Sequence, residues 1–405
     1  MKCVLFISGS VGLGHIGRDL EIARAIRKLN ANIEISWLAK PPASTMVIEA
    51  GEKLLPEAEL LVKETDALQQ FSGGYDSNLT KYVMEVKKPW QKNASILKDL
   101  VEKNKYDLVI GDETYDILIE RVTNKKYQPF PFVIIYDIFG VDCVTINPIE
   151  KIATYYINRL WVNGVLSDPP IVNASIFVGE VEDIPDKNFG FMLPNRRDLA
   201  RKQLNFVGYV LPFRRRDYEN KEAVRKQLGY GPEKLIVCSI GGTAAGRELL
   251  SLCAEAFPLV RKKLPDARMV LACGPFVPQE SIHSTEGLEV LGYTPKLYTH
   301  FAAADLCIVT GGGTTTLEIT ALQRPFLYFP LGKHFEQQVD VVHRCQRLNA
   351  GIKMDYKKTT PEALAQAILE NINKPVHYPD ISTSGAENAA AVILNLLDSQ
   401  RSSRV

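Results

Sequence analysis

The chain has no long apolar run, no paired-cysteine spacing and no surplus of charge of either sign. None of its 405 residues fall in a stretch of the ~18 apolar residues that a membrane span needs. The opening run Met1-Lys2-Cys3-Val4-Leu5-Phe6-Ile7 is too short for a signal peptide. A cytoplasmic location is therefore expected, with a peripheral contact at the membrane left open. The seven cysteines (Cys3, Cys143, Cys238, Cys253, Cys273, Cys307, Cys345) are odd in number and dispersed, and no C-x-x-C occurs. This excludes the usual cysteine metal and redox spacings and predicts reduced core thiols. With 48 basic against 47 acidic residues, the basic footprint of a general nucleic-acid binder is missing.

What is present is a globular composition, 46% hydrophobic and 23% charged, in a chain long enough for two domains of about 200 residues each. Apolar strand-like runs alternate with helical periodicity in both halves, which predicts an α/β protein with parallel sheets. Val4 to Ile7, Ile33 to Leu38, Tyr106 to Glu113, Phe132 to Tyr136, Ser175 to Val178 and Asn205 to Val207 read as strands of the first half. Leu235 to Ser239, Met269 to Ala272, Leu288 to Leu291 and Phe326 to Phe329 read as strands of the second. The charged stretch around Arg214-Arg215-Arg216-Asp217 breaks the pattern and places a linker near 209 to 220. The expected division is 1–210, 211–385 and a final helical segment 386–405. Two further readings concern packing. A helix from Tyr82 to Lys103 is expected to be interrupted at Pro89, and the stripe Ile149, Ile152, Tyr156, Leu160 and Trp161 is expected to face the core. An exposed patch for a lipid or partner is the less common alternative.

The stretch from Ile308 to Gln338 carries the strongest chemical signal. Gly311-Gly312-Gly313 follows an apolar strand and leads into a helix. Glycines let a ligand approach the backbone, and free N–H groups at a helix N-terminus bind anions. Thr314, Thr315 and Thr316 add hydroxyl donors and are expected to cap the helix. A second glycine loop, Gly241-Gly242-Thr243, follows the Leu235–Ser239 strand. In open parallel sheets such loops line one crevice. The first half has its own glycine loop, in which Gly12, Gly14 and Gly17 match G-x-G-x-x-G. Four residues separate it from the strand, and the next strand ends in Ala39-Lys40 rather than an acid, so a dinucleotide fingerprint fits poorly. His15 lies inside this loop. Asp112 and Glu113 end another strand, where either acid can orient an imidazole.

The order of glycine loop, helix Glu, short strand with Pro and then an acid–Gln pair resembles the donor-binding segment of GT-B glycosyltransferases. It is most similar to the group of the peptidoglycan GlcNAc transferase (family 28) and, more distantly, to the UDP-glycosyltransferases. The resemblance implies two Rossmann-like doubly wound domains facing a cleft, with the last helix packing toward the first domain. It implies that Gly311, Gly312, Gly313, Thr314 and Thr315 hold the donor diphosphate, with Gly241, Gly242 and Thr243 beside it. Glu318 takes the ribose hydroxyls, Gln337 with Glu336 or Gln338 contacts the sugar, and Tyr293 and Thr294 stand where relatives read the uracil ring. Gly12, Gly14 and Gly17 form the acceptor-side loop, and His15, oriented by Asp112, is the base. Many relatives have His or Arg where this chain has Thr310, so a phosphate contact must come from elsewhere. No D-x-D occurs, so the expected reaction uses no metal and no cofactor beyond a UDP-sugar co-substrate. That reaction is inverting hexosyl transfer from a UDP-GlcNAc-like donor to the hydroxyl of a small-molecule, glycan or lipid-linked acceptor. A nucleotide-sugar hydrolase, which the Gly12 to Arg18 loop also resembles, and a non-catalytic nucleotide-sugar binder are the alternatives.

Overall fold

The computed structural model describes residues 2–9, 13–62, 79–124 and 130–402. Gly12, and the segment 69–75, whose Gly73 and Gly74 predict a loop, therefore lie outside the described residues. The chain divides into two compact units, one made of Met1–Leu68, Leu79–Pro212 and Ser382–Val405, the other with Phe213–Ile381 as its main body.

The first unit is built on a seven-stranded sheet of β1 (Lys2–Ile7), β2 (Ile33–Leu38), β3 (Lys53–Leu54), β4 (Leu108–Asp112), β5 (Phe132–Tyr136), β6 (Ala174–Phe177) and β7 (Asn205–Phe206). Every pairing is parallel, in the order β3-β2-β1-β4-β5-β6-β7. The second unit repeats the plan with β8 (Leu235–Ser239), β9 (Arg268–Ala272), β10 (Leu288–Leu291), β11 (Leu306–Thr310), β12 (Phe326–Phe329) and β13 (Ile352–Lys353), ordered β10-β9-β8-β11-β12-β13 and again parallel. Helices cover these sheets, so the central strands β4, β5, β8 and β11 are buried at every residue. Their sequences consequently read as unbroken apolar runs rather than alternating ones. In each sheet the strand order reverses once, between β1 and β4 and between β8 and β11. Loops leaving those strands open a crevice at the sheet's carboxyl edge, the usual ligand position of such folds.

The last helix, Gly385–Ser402, belongs to the first unit and packs on the helix Gly14–Leu29. Its Ala389, Ala390, Ile393 and Leu397 join Ile16, Leu20, Ala23 and Ile26 in one core. Gly385 permits the approach, because a Cβ there would stand 2.5 Å from the Tyr209 carbonyl oxygen and 2.7 Å from that of Gly208. Five cysteines are buried, Cys3 and Cys143 are half-buried, and all seven are free thiols.

Two expectations are corrected. The helix Leu79–Lys103 runs through Pro89 without a break. The helix Pro148–Val165 turns Thr154, Asn158, Trp161 and Val162 inward and leaves Ile149, Ile152, Tyr156 and Leu160 exposed. Both faces have helical period, and hydrophobicity favoured the wrong one. The buried face is instead fixed by Asn158, whose amide bonds Val141 at both N–H (2.9 Å) and C=O (2.9 Å), and by Trp161 among Tyr115, Tyr136 and Phe139.

Candidate active site

Chemistry-bearing residues gather at the order reversal of each sheet. In the first unit, His15 lies in the first turn of the helix that follows β1, and Asp112 closes β4 next door. The residue between them is Arg18, one turn after His15 and buried. Its Nε and Nη2 form a fork on Asp112 at 2.7 and 2.5 Å, while Nη1 reaches Asp137 at the end of β5 at 2.7 Å. Nη2 also stands 2.8 Å from His15 Nδ1, with Asp112 Oδ2 3.5 Å from the same nitrogen. Glu113 Oε2 lies 3.3 Å from Nε2 on the other side of the ring. Glu113 is held there by a left-handed backbone, φ 49°, a conformation that costs a non-glycine residue about 1–3 kcal/mol. The structure thus brings His15 to both acids named from sequence. It also shows Arg18 as the hub, signalled only by the His-x-x-Arg spacing that stacks the two side chains on one helical turn.

Four carboxyls share this cluster, and their titration diverges. Burial would raise Asp112, but the charges of Arg18 and then His15 outweigh it and hold the carboxyl well below the usual range. Asp137 is held down likewise, its burial being outweighed by Arg18 and by a hydrogen bond with Glu113. Burial, followed by the charge of Asp137, pushes Glu113 far up, and burial with the charge of Asp112 does the same to Asp19, which accepts from Ser8 at 2.6 Å. Around Arg18 the surroundings thus favour the ionised form of Asp112 and Asp137 and the protonated form of Glu113 and Asp19. For His15, burial and then Arg18 disfavour the imidazolium, yet Asp112 and Asp137 prevail and raise it above 6.5. The heavy-atom geometry describes the neutral state: two N–H donors cannot share 2.8 Å, so Nδ1 accepts from Arg18 and Nε2 carries the proton toward Glu113. Loss of Asp112 removes the largest raising influence. The His15 ring in Asp112→Asn should titrate at lower pH than in the wild type, and NMR titration of the imidazole checks this. An unchanged or higher midpoint would contradict the assignment.

His15, Glu113 and Asp137 each offer one ligand atom within 4.8 Å of the others. The Arg18 guanidinium, bonded to Asp137 and Asp112 and beside Nδ1, already supplies the positive charge that a divalent ion would bring.

In the second unit, the loops after β8 and β11 flank the reversal. Gly241 takes φ 80° and donates its N–H to Ser239 Oγ (3.1 Å). Thr243 Oγ1 accepts from Ala245 N (3.3 Å) and closes the turn that follows Gly242. Gly312 is the N-cap of the helix Gly313–Ala321, with no side-chain cap and no acid in the first turn. The expected threonine cap is therefore absent. Thr316 is buried and bonds back to the carbonyls of Gly312 (3.0 Å) and Gly313 (3.1 Å), while Thr314 and Thr315 stay half-buried beside the open N–H groups. Such an uncapped N-terminus favours an anion.

The polar segment after β12 folds directly onto this loop. Residues Glu336–Val341 form a π-helical turn, a geometry often found at functional sites. A Cβ on Gly311 would lie 3.0 Å from Gln337 Oε1, and one on Gly313 would lie 3.2 Å from Glu336 Oε1. Of the three polar candidates, two are engaged. Gln337 is buried with its oxygen on Leu331 N (2.9 Å), and Gln338 Nε2 donates to the carbonyls of Pro330 (3.1 Å) and Leu331 (3.0 Å). Glu336 is the one left facing the glycines. Thr310 is also engaged, donating to the Ile240 carbonyl at 3.3 Å. A cation nonetheless reaches the loop: Arg344 Nη2 bonds the Gly313 carbonyl and approaches Thr316 Oγ1 at 3.3 Å. No motif in the sequence marked this residue. The side chain of Glu318 forms no hydrogen bond among the described residues, and burial pushes its carboxyl up to about 8. Tyr293 and Thr294 follow β10 at the sheet edge, two strands away from β8.

Residues 236–396 match the glycosyltransferase family 28 C-terminal domain. An uncharacterized glycosyltransferase of Methanopyrus kandleri is 27% identical over 48% of this chain, and the match spans only 54% of that relative's length. The UDP-N-acetylglucosamine--N-acetylmuramyl-(pentapeptide) pyrophosphoryl-undecaprenol N-acetylglucosamine transferase of Clostridioides difficile is 25% identical over 91% of this chain and 81% of its own. The solved structure of the glycotransferase of kitacinnamycin superposes with a TM-score of 0.58 over 98% of this chain and 95% of its own, at 17% identity. The chain has the two-domain, Rossmann-like GT-B fold and is similar to the family 28 glycosyltransferases.

Proposed function

We propose that the protein is an inverting glycosyltransferase that moves a hexosyl group, of the GlcNAc type, from a UDP-sugar to an acceptor hydroxyl. The observation that carries this reading is the uncapped, glycine-lined helix N-terminus at Gly311–Thr315, followed on the same helix by a carboxyl, Glu318, that has no partner among the described residues. The loop suits a diphosphate and the carboxyl suits a ribose diol. The match of residues 236–396 to the family 28 C-terminal domain supports the same placement. The leaving diphosphate is stabilised by backbone N–H groups and the helix N-terminus, with Arg344 adding positive charge behind the loop. His15 takes the acceptor proton at Nε2, which requires the other tautomer: Arg18 Nη2 withdraws from Nδ1, that nitrogen carries its proton toward Asp112 Oδ2, 3.5 Å away, and Glu113 yields Nε2 to the acceptor. Asp112 and Arg18 hold the ring so that the proton leaves from one defined side.

Incubating the protein with UDP-GlcNAc, with and without acceptor extracts, tests the reading. Acceptor-dependent UDP release is expected. Acceptor-independent release instead makes water the nucleophile, the second reading, which the tie of His15 to Arg18 also suits. Binding without any release leaves a nucleotide-sugar sensor.

Two further results follow from the site. Glu318→Ala should weaken UDP binding by about 1–3 kcal/mol, the cost of leaving polar groups unpaired. Because ribose hydroxyls donate to an ionised carboxylate, wild-type affinity should rise as pH increases through about 8, where Glu318 deprotonates, and this slope should vanish in the variant. Calorimetry showing equal UDP affinity in both proteins at every pH would remove Glu318 from the ribose site. Turnover should also persist in EDTA, since Arg18 and the helix N-terminus carry the charge; loss reversed by Mn²⁺ or Mg²⁺ would oppose this.

A further inference from the structure

A cavity of about 50 Å³ lies in the first unit at the carboxyl ends of β1, β2 and β4. Its lining is buried: Ile7, Leu38, Leu97 and Ile117 supply apolar walls, and Lys40, Asn93, Thr114 and Asp116 supply polar ones. At ~10–15 Å³ per water it has room for roughly three to five, and hence for one compact chemical group but no sugar ring. Two polar groups here are left over by the fold. Thr114 Oγ1 is buried and has no hydrogen-bond partner among the described residues. Lys40 is only 7% exposed and gives one donor to the Glu59 carbonyl at 2.7 Å. The one carboxylate within ion-pair distance of it among the described residues, Glu59 Oε2, stands 3.7 Å away on a side chain that is 80% exposed. An ammonium carries three N–H donors, so Lys40 brings donors and charge that no buried anion matches.

We propose that the acceptor is a hydroxy acid whose carboxylate occupies this cavity against Lys40 Nζ and Thr114 Oγ1, with its reacting hydroxyl delivered past Glu113 to His15. Glu113 joins the two ends, since it lines the cavity and its Oε2 lies 3.3 Å from His15 Nε2. The two acids of the lining do not take over the role of counterion. Asp116 Oδ1 already accepts from Ile117 N at 2.8 Å, and burial outweighs that bond and one from Asn93 and pushes the carboxyl up to about 6. Glu113 Oε1 stands 3.3 Å from the Tyr115 hydroxyl, and burial with the charge of Asp137 pushes this carboxyl up as well. Charge and size then select the ligand. An amine would set a second ammonium beside Lys40, and a neutral group would leave Lys40 uncompensated. A carboxylate accepts from both the ammonium and the hydroxyl in charge-assisted bonds, and it fits the volume where a diphosphate does not. The acceptor class rests on the proposed transfer; the carboxylate site does not.

Ligand-observed NMR titration of the full chain with glycolate, glycolamide and ethanolamine tests the site, because these small probes differ chiefly in charge. UDP is kept present so that the glycine loop of the second unit does not take up the anion. Glycolate should bind more tightly than either of the others by about tenfold or more. Lys40→Met should reduce glycolate binding to the level of glycolamide, and Thr114→Val, which removes the hydroxyl and keeps the shape, should weaken it by about fivefold. Circular dichroism establishes that each variant is folded. Absent glycolate binding, equal binding of the three probes, or undiminished glycolate binding in the folded variants would overturn the proposal. The acceptor class has its own readout. UDP release from UDP-GlcNAc should follow the acidic fraction of an acceptor extract and vanish once the carboxyl groups of that fraction are amidated. Release that survives amidation would overturn the hydroxy-acid acceptor. Glycolate binding with no UDP release in any extract would instead refute the transfer and leave the carboxylate site standing.

Discussion

His15→Ala should lower kcat by about 10²–10⁴-fold, the usual contribution of a positioned general base, and leave UDP affinity nearly unchanged. The separation of effects follows from placement. His15 lies in the first unit, on the helix after β1, whereas the glycine loops, Glu318 and Glu336 all belong to the second. Removing the ring also frees Arg18 Nη2 and Glu113, but it strands no charge. Arg18 keeps its fork on Asp112 and its bond to Asp137, and burial with the charge of Asp137 pushes the Glu113 carboxyl up, toward its neutral form. A stability loss of only about 1–3 kcal/mol is expected from the lost hydrogen bonds, and thermal unfolding will show whether the fold survives. Full turnover in the variant would pass the role of base to Asp112, Glu113 or Asp137. Lost UDP binding would mean instead that His15 contacts phosphate, substituting for the cation that relatives carry where this chain has Thr310.

The separate contributions of sequence and structure to this site are instructive. Buried parallel strands announce themselves as apolar runs, so β1, β4, β8, β11 and β12 and the glycine loops after three of them could be placed from residues alone. His15 and Asp112 could be paired because β1 and β4 are neighbours in a doubly wound order, which brings their carboxyl ends together. The His-x-x-Arg spacing signals only that His15 and Arg18 share one helical turn; the hub role of Arg18 depends on which carboxyls meet at the ends of β4 and β5, which that spacing does not encode. The engagement of Gln337 and Gln338 follows from a π-helical turn that no propensity predicts, and it leaves Glu336 as the group facing the glycines. The stripe on the helix Pro148–Val165 shows the converse failure. Periodicity defines two faces, but Asn158 and Trp161, a polar residue and one aromatic, decide which of them is buried.

Gly311→Ala should reduce UDP affinity by about tenfold to a hundredfold while uridine binding falls much less. A Cβ at this position would stand 2.9 Å from Pro330 Cα, 3.0 Å from Gln337 Oε1 and 3.2 Å from Pro330 Cβ. Neither obstacle gives way easily. Pro330 directly follows β12, and Gln337 Oε1 is fixed by the Leu331 N–H at 2.9 Å. The glycine loop must therefore move, carrying with it the open N–H groups of the first turn of the helix Gly313–Ala321. Charge-assisted hydrogen bonds to a diphosphate are worth roughly 1.5–3 kcal/mol each and depend steeply on geometry, so displacing even one accounts for the expected loss. Overpacking of this kind also costs about 1–3 kcal/mol of stability. Gly312→Ala is the informative control, because its φ is −63° and the nearest atom to a Cβ is Thr315 Oγ1 at 3.8 Å. That variant should fold as the wild type does and lose UDP affinity only if the ligand itself approaches the loop at Gly312. Calorimetry with UDP, UMP and uridine on both variants distinguishes the cases. If Gly311→Ala binds UDP as tightly as the wild type, the diphosphate does not rest on this loop.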